Sequence, residues 1–203
     1  MTLQTLATMM VSISDNTATD TLMAALGRAA IDARAAANGG SAPVLTTREA
    51  FVLKSDAGLL AAWKAAPPAA RRALLDDRAA EITAKPLDAS VFGGKPVAID
   101  NVEWFASPLA MAGLLDRLRK AEDPVRAMLG VNAGVDGATA GRFRYVGFKG
   151  GSEPGVIAIN FVVQAKDGRW YAATGNWHRA DGPVNELRFA GLMTRLLALA
   201  AAR

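Results

Sequence analysis

The sequence contains no cysteine, only one histidine and no long apolar run. Without cysteine, a disulfide framework and a thiolate metal site are both excluded. The single histidine, His178, argues against a histidine-based metal centre and against a Ser-His-Asp triad. We interpret His178, beside Trp177, as a surface or packing residue, and we expect no metal and no other cofactor. No segment reaches the roughly twenty apolar residues of a membrane span, and the first ten residues lack the basic start of a signal peptide.

The charge is modest and evenly spread. There are 23 basic and 19 acidic residues, for a net charge of +4, and no basic stripe alternates with aromatic residues. Nucleic acid is therefore not an expected partner. With 203 residues, of which 51% are hydrophobic, the chain has enough apolar material for the core of one domain.

Helical periodicity and capping signals dominate the first 141 residues. Thr46 or Thr47 is expected to cap the helix that follows, with Glu49 near the third helical position in a capping-box arrangement, and Ser107-Pro108 combines an N-cap with proline at the first helical position. Pro67-Pro68 forbids a continuous helix. We predict helices at about 3–13, 17–26, 28–37, 48–55, 57–65, 68–80, 107–120 and 123–129. The stretch 85–100 is predicted to be extended, and 132–141 to be weakly structured.

The pattern changes after residue 141. Residues 142–149, 156–164 and 169–176 are rich in β-branched and aromatic residues, which predicts three strands. An Asp-Gly turn at Asp167-Gly168 and a turn within 150–155 make the sheet antiparallel. A final helix over 183–201 would pack on this sheet. We therefore predict one α/β (α+β) domain over 1–203, with a helical region at 1–141 and a sheet with a C-terminal helix at 142–203.

Two short motifs carry chemistry. Ser14-Asp15-Asn16 falls between two predicted helices, and Lys149-Gly150-Gly151-Ser152 ends the first predicted strand. Taken alone, the first motif is more often a helix-loop-helix corner with a capping residue, and the second is more often turn chemistry. Their order along the chain gives them a different meaning.

The passages SISDNTATDTLMAALGR, TTREAFVLK and VEWFASPLAMAGLLDRLR, followed by the late Lys-Gly-Gly, resemble the class A β-lactamase-related serine hydrolases, a penicillin-recognising, transpeptidase-like family. This resemblance spans essentially the whole chain. It implies that Ser14 is a proton relay and that Asn16 positions the substrate and the lysine. Asp15 would be a structural cap.

The resemblance also assigns roles to the second motif. Lys149 would attract an anionic substrate group and raise the acidity of Ser14. The backbone N–H of Ser152 would donate to a developing oxyanion, and Gly151 would let the backbone approach a substrate. The substrate would be a small molecule or a peptide-like compound. Gly150 departs from the family, which has a hydroxyl there to help bind the β-lactam carboxylate.

The larger departure is the nucleophile. The family has Ser-x-x-Lys upstream of Ser-Asp-Asn, and none of the seven serines here is followed by lysine three positions later. We therefore expect the chain to be N-terminally incomplete, with the first strands and the nucleophile helix missing. A full-length relative would be periplasmic or secreted. The family's deacylating glutamate is not found either, since Glu49 has a sufficient explanation as a capping residue.

The sequence thus favours an acyl-transfer serine hydrolase that cleaves an amide, lactam or ester but is inactive as this chain, because its nucleophile is absent. An alternative is a non-catalytic or degenerate protein that keeps the cleft to bind a peptide, a cell-wall fragment or a partner. A third hypothesis is an unrelated domain in which both motifs occur by chance, with Ser14 and Lys149 far apart.

Overall fold

The computed structural model describes residues 1–202 and confirms an α+β fold. The strands are β1 (Phe143–Glu153), β2 (Val156–Ala165) and β3 (Trp170–His178), which form an antiparallel sheet in that order. Short 3-10 turns lie at Pro68–Ala70 and Ala89–Phe92. The helices are α1 (Leu3–Ser12), α2 (Asn16–Leu26), α3 (Arg28–Ala37), α4 (Thr47–Ser55), α5 (Ala57–Ala65), α6 (Arg71–Asp77), α7 (Ala79–Ala84), α8 (Pro108–Arg119), α9 (Asp123–Leu129), α10 (Gly137–Ala140) and α11 (Glu186–Ala201).

The helix starts follow the predicted caps. The Thr46 hydroxyl accepts from the Glu49 N–H at 3.1 Å, and the Glu49 carboxylate accepts from the Thr46 N–H at 2.7 Å, so the predicted capping box is present. Ser107 caps α8 through the Ala110 N–H at 3.1 Å. Because each cap satisfies N–H groups that the helix itself leaves free, these short polar signals fix where the helices begin.

The sheet is covered by helices on both faces. α11 packs on one face through Met193 and Leu197, against apolar residues of β1 and β2. On the other face, Leu115 of α8 and Leu129 of α9 pack against Val162. A separate helical core lies among α4 to α7, and its buried members are Leu45, Ala50, Val52, Leu53, Leu59, Trp63, Leu75, Ile82 and Val102.

The register of β1 and β2 determines which of their side chains share a face of the sheet. Lys149 lies opposite Asn160, Gly151 opposite Ala158, and Glu153 opposite Val156. Since directly opposed residues of an antiparallel pair share a face, and the face alternates along a strand, these residues lie on the Val162 face. Lys149, Gly151 and Glu153 therefore lie on the side of the sheet that faces the helical region.

The first predicted strand is too short. The prediction ended it at Lys149 and made 150–155 a turn, whereas β1 continues through Gly150, Gly151 and Ser152 to Glu153. Paired glycines resemble turn chemistry in a sequence, but here they pair with Ile159 and Ala158 of β2. The reversal lies at Pro154-Gly155, where Gly155 has a φ of +85°, and a side chain there would meet Pro96 and the Arg179 carbonyl.

Other boundaries differ in smaller ways. The helix predicted over 68–80 is a 3-10 turn followed by α6, and α7 begins after a break at Arg78. The last helix begins at Glu186, because the Asn185 side chain accepts from the Arg188 N–H at 2.8 Å and caps it there. The stretch 132–141, predicted to be weakly structured, contains the four-residue α10.

Candidate functional site

Ser14 lies at a tight corner between α1 and α2. Its φ is +55°, a left-handed conformation that non-glycine residues adopt at a cost of about 1 to 2 kcal/mol. Asp15 follows as the N-cap of α2, where its carboxylate accepts from the Ala18 N–H at 2.6 Å. The Asp15 N–H donates to the Met9 carbonyl, and Asn132 donates to the Ser12 carbonyl at 3.0 Å. The corner is thus held from both sides, with the exposed Ser14 at its tip.

The structure brings Ser14 and Lys149 together across 135 residues of sequence. Lys149 Nζ donates to Ser14 Oγ at 2.6 Å and to the Gly150 carbonyl at 2.7 Å. The Lys149 carbonyl accepts from Asn160 Nδ2 at 3.1 Å, and Asn160 is one of the few buried polar residues. The ammonium group is therefore fixed on the serine hydroxyl from a strand whose own backbone is tied to β2.

Burial lowers the pKa of Lys149 below its usual 10.5, because removal from water penalises the charged form. Within residues 1–202, no carboxylate forms an ion pair with this ammonium. A lysine with a lowered pKa releases a proton more readily, and its nearest hydrogen-bonding side chain is a serine hydroxyl. This pair has the geometry for moving a proton between Nζ and Oγ.

The other predicted site residues line a cavity of about 900 Å³. Asn16 opens α2 on one wall, while Gly151 and Ser152 belong to β1 on another. Ser14 and Lys149 are not among the residues that line this cavity. They lie beside it, two positions before Asn16 and two before Gly151 respectively. The predicted residues therefore form two adjoining groups, a contacting pair and a cavity wall.

Gly150, the departure from the family pattern, has a structural explanation. A side chain at this position would place its β-carbon 2.7 Å from the Phe148 ring and 3.2 Å from the Ala158 carbonyl. Phe148 itself packs against Phe161, with ring centroids 5.1 Å apart. Any hydroxyl-bearing residue at 150 would therefore require Phe148 to move.

A buried charged cluster on the same cavity was not predicted. Lys54 of α4 donates to Glu103 and to Glu153, both at 2.5 Å, and its side chain is only 2% exposed. Desolvation, together with a hydrogen bond to Glu153, raises the pKa of Glu103 to about 7. Lys54 and Glu103 fall within two passages that carry the family resemblance, TTREAFVLK and VEWFAS. A lysine directly after the buried Val52 and Leu53 was the available signal.

Glu103 and Trp104 also line a second cavity, of about 520 Å³, which shares Val156 and Ala158 with the first. The Trp104 side chain is half exposed, and its Nε1 donates to the Leu45 carbonyl at 2.9 Å. His178, predicted to be a surface or packing residue, is exposed and lines this second cavity. The two cavities therefore adjoin each other at these shared residues.

Residues 1–202 hold neither a cluster of potential metal ligands nor a membrane-spanning helix. They contain no group of three or more acidic or histidine side chains placed to hold a metal ion. None of the helices described in that range is long and apolar enough to cross a membrane.

Glu49 has structural partners on two sides. Its carboxylate forms an ion pair with Arg28 at 2.7 Å and also takes part in the capping box of α4.

Comparison with known proteins gives one family. A model described as the beta-lactamase enzyme family matches residues 1–123, which is more than half of the chain and includes Ser14, Lys54 and Glu103. No curated protein matches. The match excludes the hypothesis of an unrelated domain, and the hydrogen bond between Ser14 and Lys149 also argues against it. The chain belongs to the beta-lactamase enzyme family, a family of serine hydrolases.

Proposed function

We propose that this protein's cleft is that of an acyl-transfer hydrolase for an amide, lactam or ester, in which Ser14 and Lys149 keep the proton relay although this chain itself has no assigned nucleophile. The observation that carries the proposal is the 2.6 Å hydrogen bond from Lys149 Nζ to Ser14 Oγ. When an acyl C–N bond breaks, the leaving nitrogen needs a proton. The Ser14 hydroxyl supplies it and is reprotonated by the ammonium of Lys149, whose lowered pKa favours that transfer.

The cavity wall supplies the remaining functions in this proposal. β1 is an edge strand, so alternate N–H groups point away from β2 and are free for a ligand. The N–H of Ser152 donates to the oxyanion, and Gly151 leaves the strand edge without a side chain. The Asn16 side chain, at the start of α2, binds a substrate carbonyl on the opposite wall.

The attacking group is not provided by a Ser-x-x-Lys sequence in these 203 residues. An activated serine needs a base within hydrogen-bond reach, and here Ser14 is assigned to the relay. We therefore propose that this chain binds its ligand but has little or no turnover. The alternative is a protein that uses the same cavity only to bind a peptide, a cell-wall fragment or a partner, which the volume of about 900 Å³ would allow.

The test is ligand-induced stabilisation together with intact mass. Benzylpenicillin, a nitrophenyl ester and a soluble cell-wall peptide are each added to the wild type and to Ser14→Ala, Lys149→Ala and the control Lys64→Ala, an exposed lysine of α5. At least one probe should raise the melting temperature of the wild type and the control, and both site variants should lose this rise. The mass should stay unmodified.

The outcomes separate the hypotheses. A probe that stabilises all four proteins equally would overturn the role of Ser14 and Lys149. A covalent adduct on any serine would contradict the proposed lack of a nucleophile in this chain and would identify the attacking residue. Stabilisation by the peptide alone, with both variants affected, would favour the binding protein.

A further inference from the structure

The charged cluster described above joins three separate parts of the fold. Lys54 lies at the end of α4, Glu153 at the end of β1, and Glu103 in the connection that precedes α8, here called the Glu103 loop (residues 99–106). The two carboxylates are 49 and 99 residues away from Lys54 in sequence. No local structure requires these three side chains to meet, so their contact arises only from tertiary packing.

The Glu103 loop is anchored everywhere else. Trp63 donates to the Asn101 carbonyl at 2.8 Å, and Trp104 donates to the Leu45 carbonyl at 2.9 Å. Val102 is fully buried in the helical core. By contrast, the last residues of β1 belong to an edge strand and are paired on one side only. Lys54 therefore ties an edge strand, paired on one side only, to an anchored loop.

The edge that is tied down is the one that carries the cavity residues. Glu153 follows Ser152 directly and lies on the same face of β1 as Gly151 and Lys149. The distance along the strand from Lys149 to Glu153 is about 13 Å, from four residues at about 3.3 Å each. A shift of Glu153 would therefore move the backbone N–H of Ser152 relative to Asn16 on the opposite wall.

We propose that Lys54, Glu103 and Glu153 form a proton-sharing clamp that positions the Gly151–Ser152 edge against the helical wall of the cavity. Lys54 is the positioning residue. With one proton on the carboxylate pair, the cluster has no net charge. When that proton is lost to solvent, two carboxylates face one ammonium in a buried place, and their repulsion loosens the edge.

Other charged groups surround the cluster. Asp100 and His178 line the second cavity, and Glu186 at the start of α11 lines the first. The ring of Phe92 lies 5.6 Å from Lys54 Nζ. His178 is the group to control for, because it lies opposite Val156, which is itself opposite Glu153.

The first test needs no ligand. The backbone amide shifts of Gly151 and Ser152 are followed by NMR from pH 5 to 9 in the wild type, Glu103→Gln and His178→Gln. Both amides should titrate with a midpoint near 7 in the wild type and in His178→Gln, and they should stay flat in Glu103→Gln. Flat amides in the wild type, or a titration lost only with His178, would overturn the clamp.

The second test rests on the proposed function, since it uses ligand binding. Affinity for the probe that stabilises the wild type should fall at least threefold between pH 6 and pH 8.5, and Glu103→Gln should remove this fall. An equal fall in Glu103→Gln would overturn the link between clamp and cleft. If no probe binds the wild type, the proposed function fails, and the amide titration still decides the clamp.

Discussion

Lys54 lines the cavity of about 900 Å³ and Lys149 lies beside it, but their hydrogen-bond partners differ. Lys149 donates to a hydroxyl and a carbonyl, whereas Lys54 donates to two carboxylates. A partly buried ammonium without a countercharge keeps a free energy cost that the lowered pKa of Lys149 reflects. A buried ammonium between carboxylates has its charge compensated. The comparison shows one lysine without a countercharge, as the proposed proton relay needs, and one whose charge is compensated by carboxylates from two other parts of the fold.

Replacing each lysine by methionine should therefore have very different effects on stability. Lys54→Met leaves Glu103 and Glu153 buried without their ammonium, which should cost about 3 to 5 kcal/mol of unfolding free energy. Lys149→Met removes a poorly solvated charge, and it also removes the donor to the Ser14 hydroxyl and the Gly150 carbonyl. Because these effects oppose each other, we expect the unfolding free energy to change by less than about 1 kcal/mol. Urea unfolding at pH 7 measures both.

The same pair of variants has an internal control. At pH 4, where Glu103 holds its proton, the loss of unfolding free energy in Lys54→Met should shrink, while Lys149→Met should behave as it does at pH 7. Equal losses of unfolding free energy for the two variants at pH 7 would contradict the distinction between a structural and a reactive lysine.

A second prediction concerns the pH dependence of stability. The pKa of Glu103 is raised from 4.5 to about 7 in the folded protein, mainly by desolvation. Between these values the folded state holds a proton that the unfolded state has lost, so the contribution of Glu103 to stability falls as the pH rises through this window. The fall is on the order of 3 kcal/mol and ends above about pH 7.

The measurement is the difference in unfolding free energy between wild type and Glu103→Gln from pH 4 to 8. Because the variant has no such titration, its unfolding free energy should increase relative to that of the wild type as the pH rises. A difference that stays constant with pH would show that the buried carboxylate does not retain its proton.

The smallest expected effect concerns the Ser14 corner. At a φ of +55°, alanine keeps the β-carbon that makes this conformation costly, and glycine does not. Both variants remove the hydroxyl that contacts Lys149. Ser14→Gly should therefore be more stable than Ser14→Ala by about 1 kcal/mol in thermal unfolding, with ligand response absent from both. The reverse order of stability would mean that the corner has another backbone conformation.

Local signals predicted the parts of this fold that depend on local interactions. The capping box of α4 and the Ser107-Pro108 start of α8 were read correctly, because each needs only a few adjacent residues. The end of β1 was predicted wrongly, because only the pairing with β2 distinguishes a strand that continues through Gly150 and Gly151 from a turn. The Lys54 cluster was missed for the same reason. Its members meet only after the helical region and the sheet have packed together.

The pKa of Lys149 tests the central claim most directly. It can be followed through the ¹³Cε shift of a labelled lysine, assigned with Lys149→Met, over an alkaline titration. The account predicts a midpoint below 10.5 in the wild type, because this partly buried ammonium contacts Ser14 and the Gly150 carbonyl and no carboxylate. A midpoint at or above 10.5 would contradict it, since Lys149 would then be an ordinary compensated charge with no advantage as a proton relay.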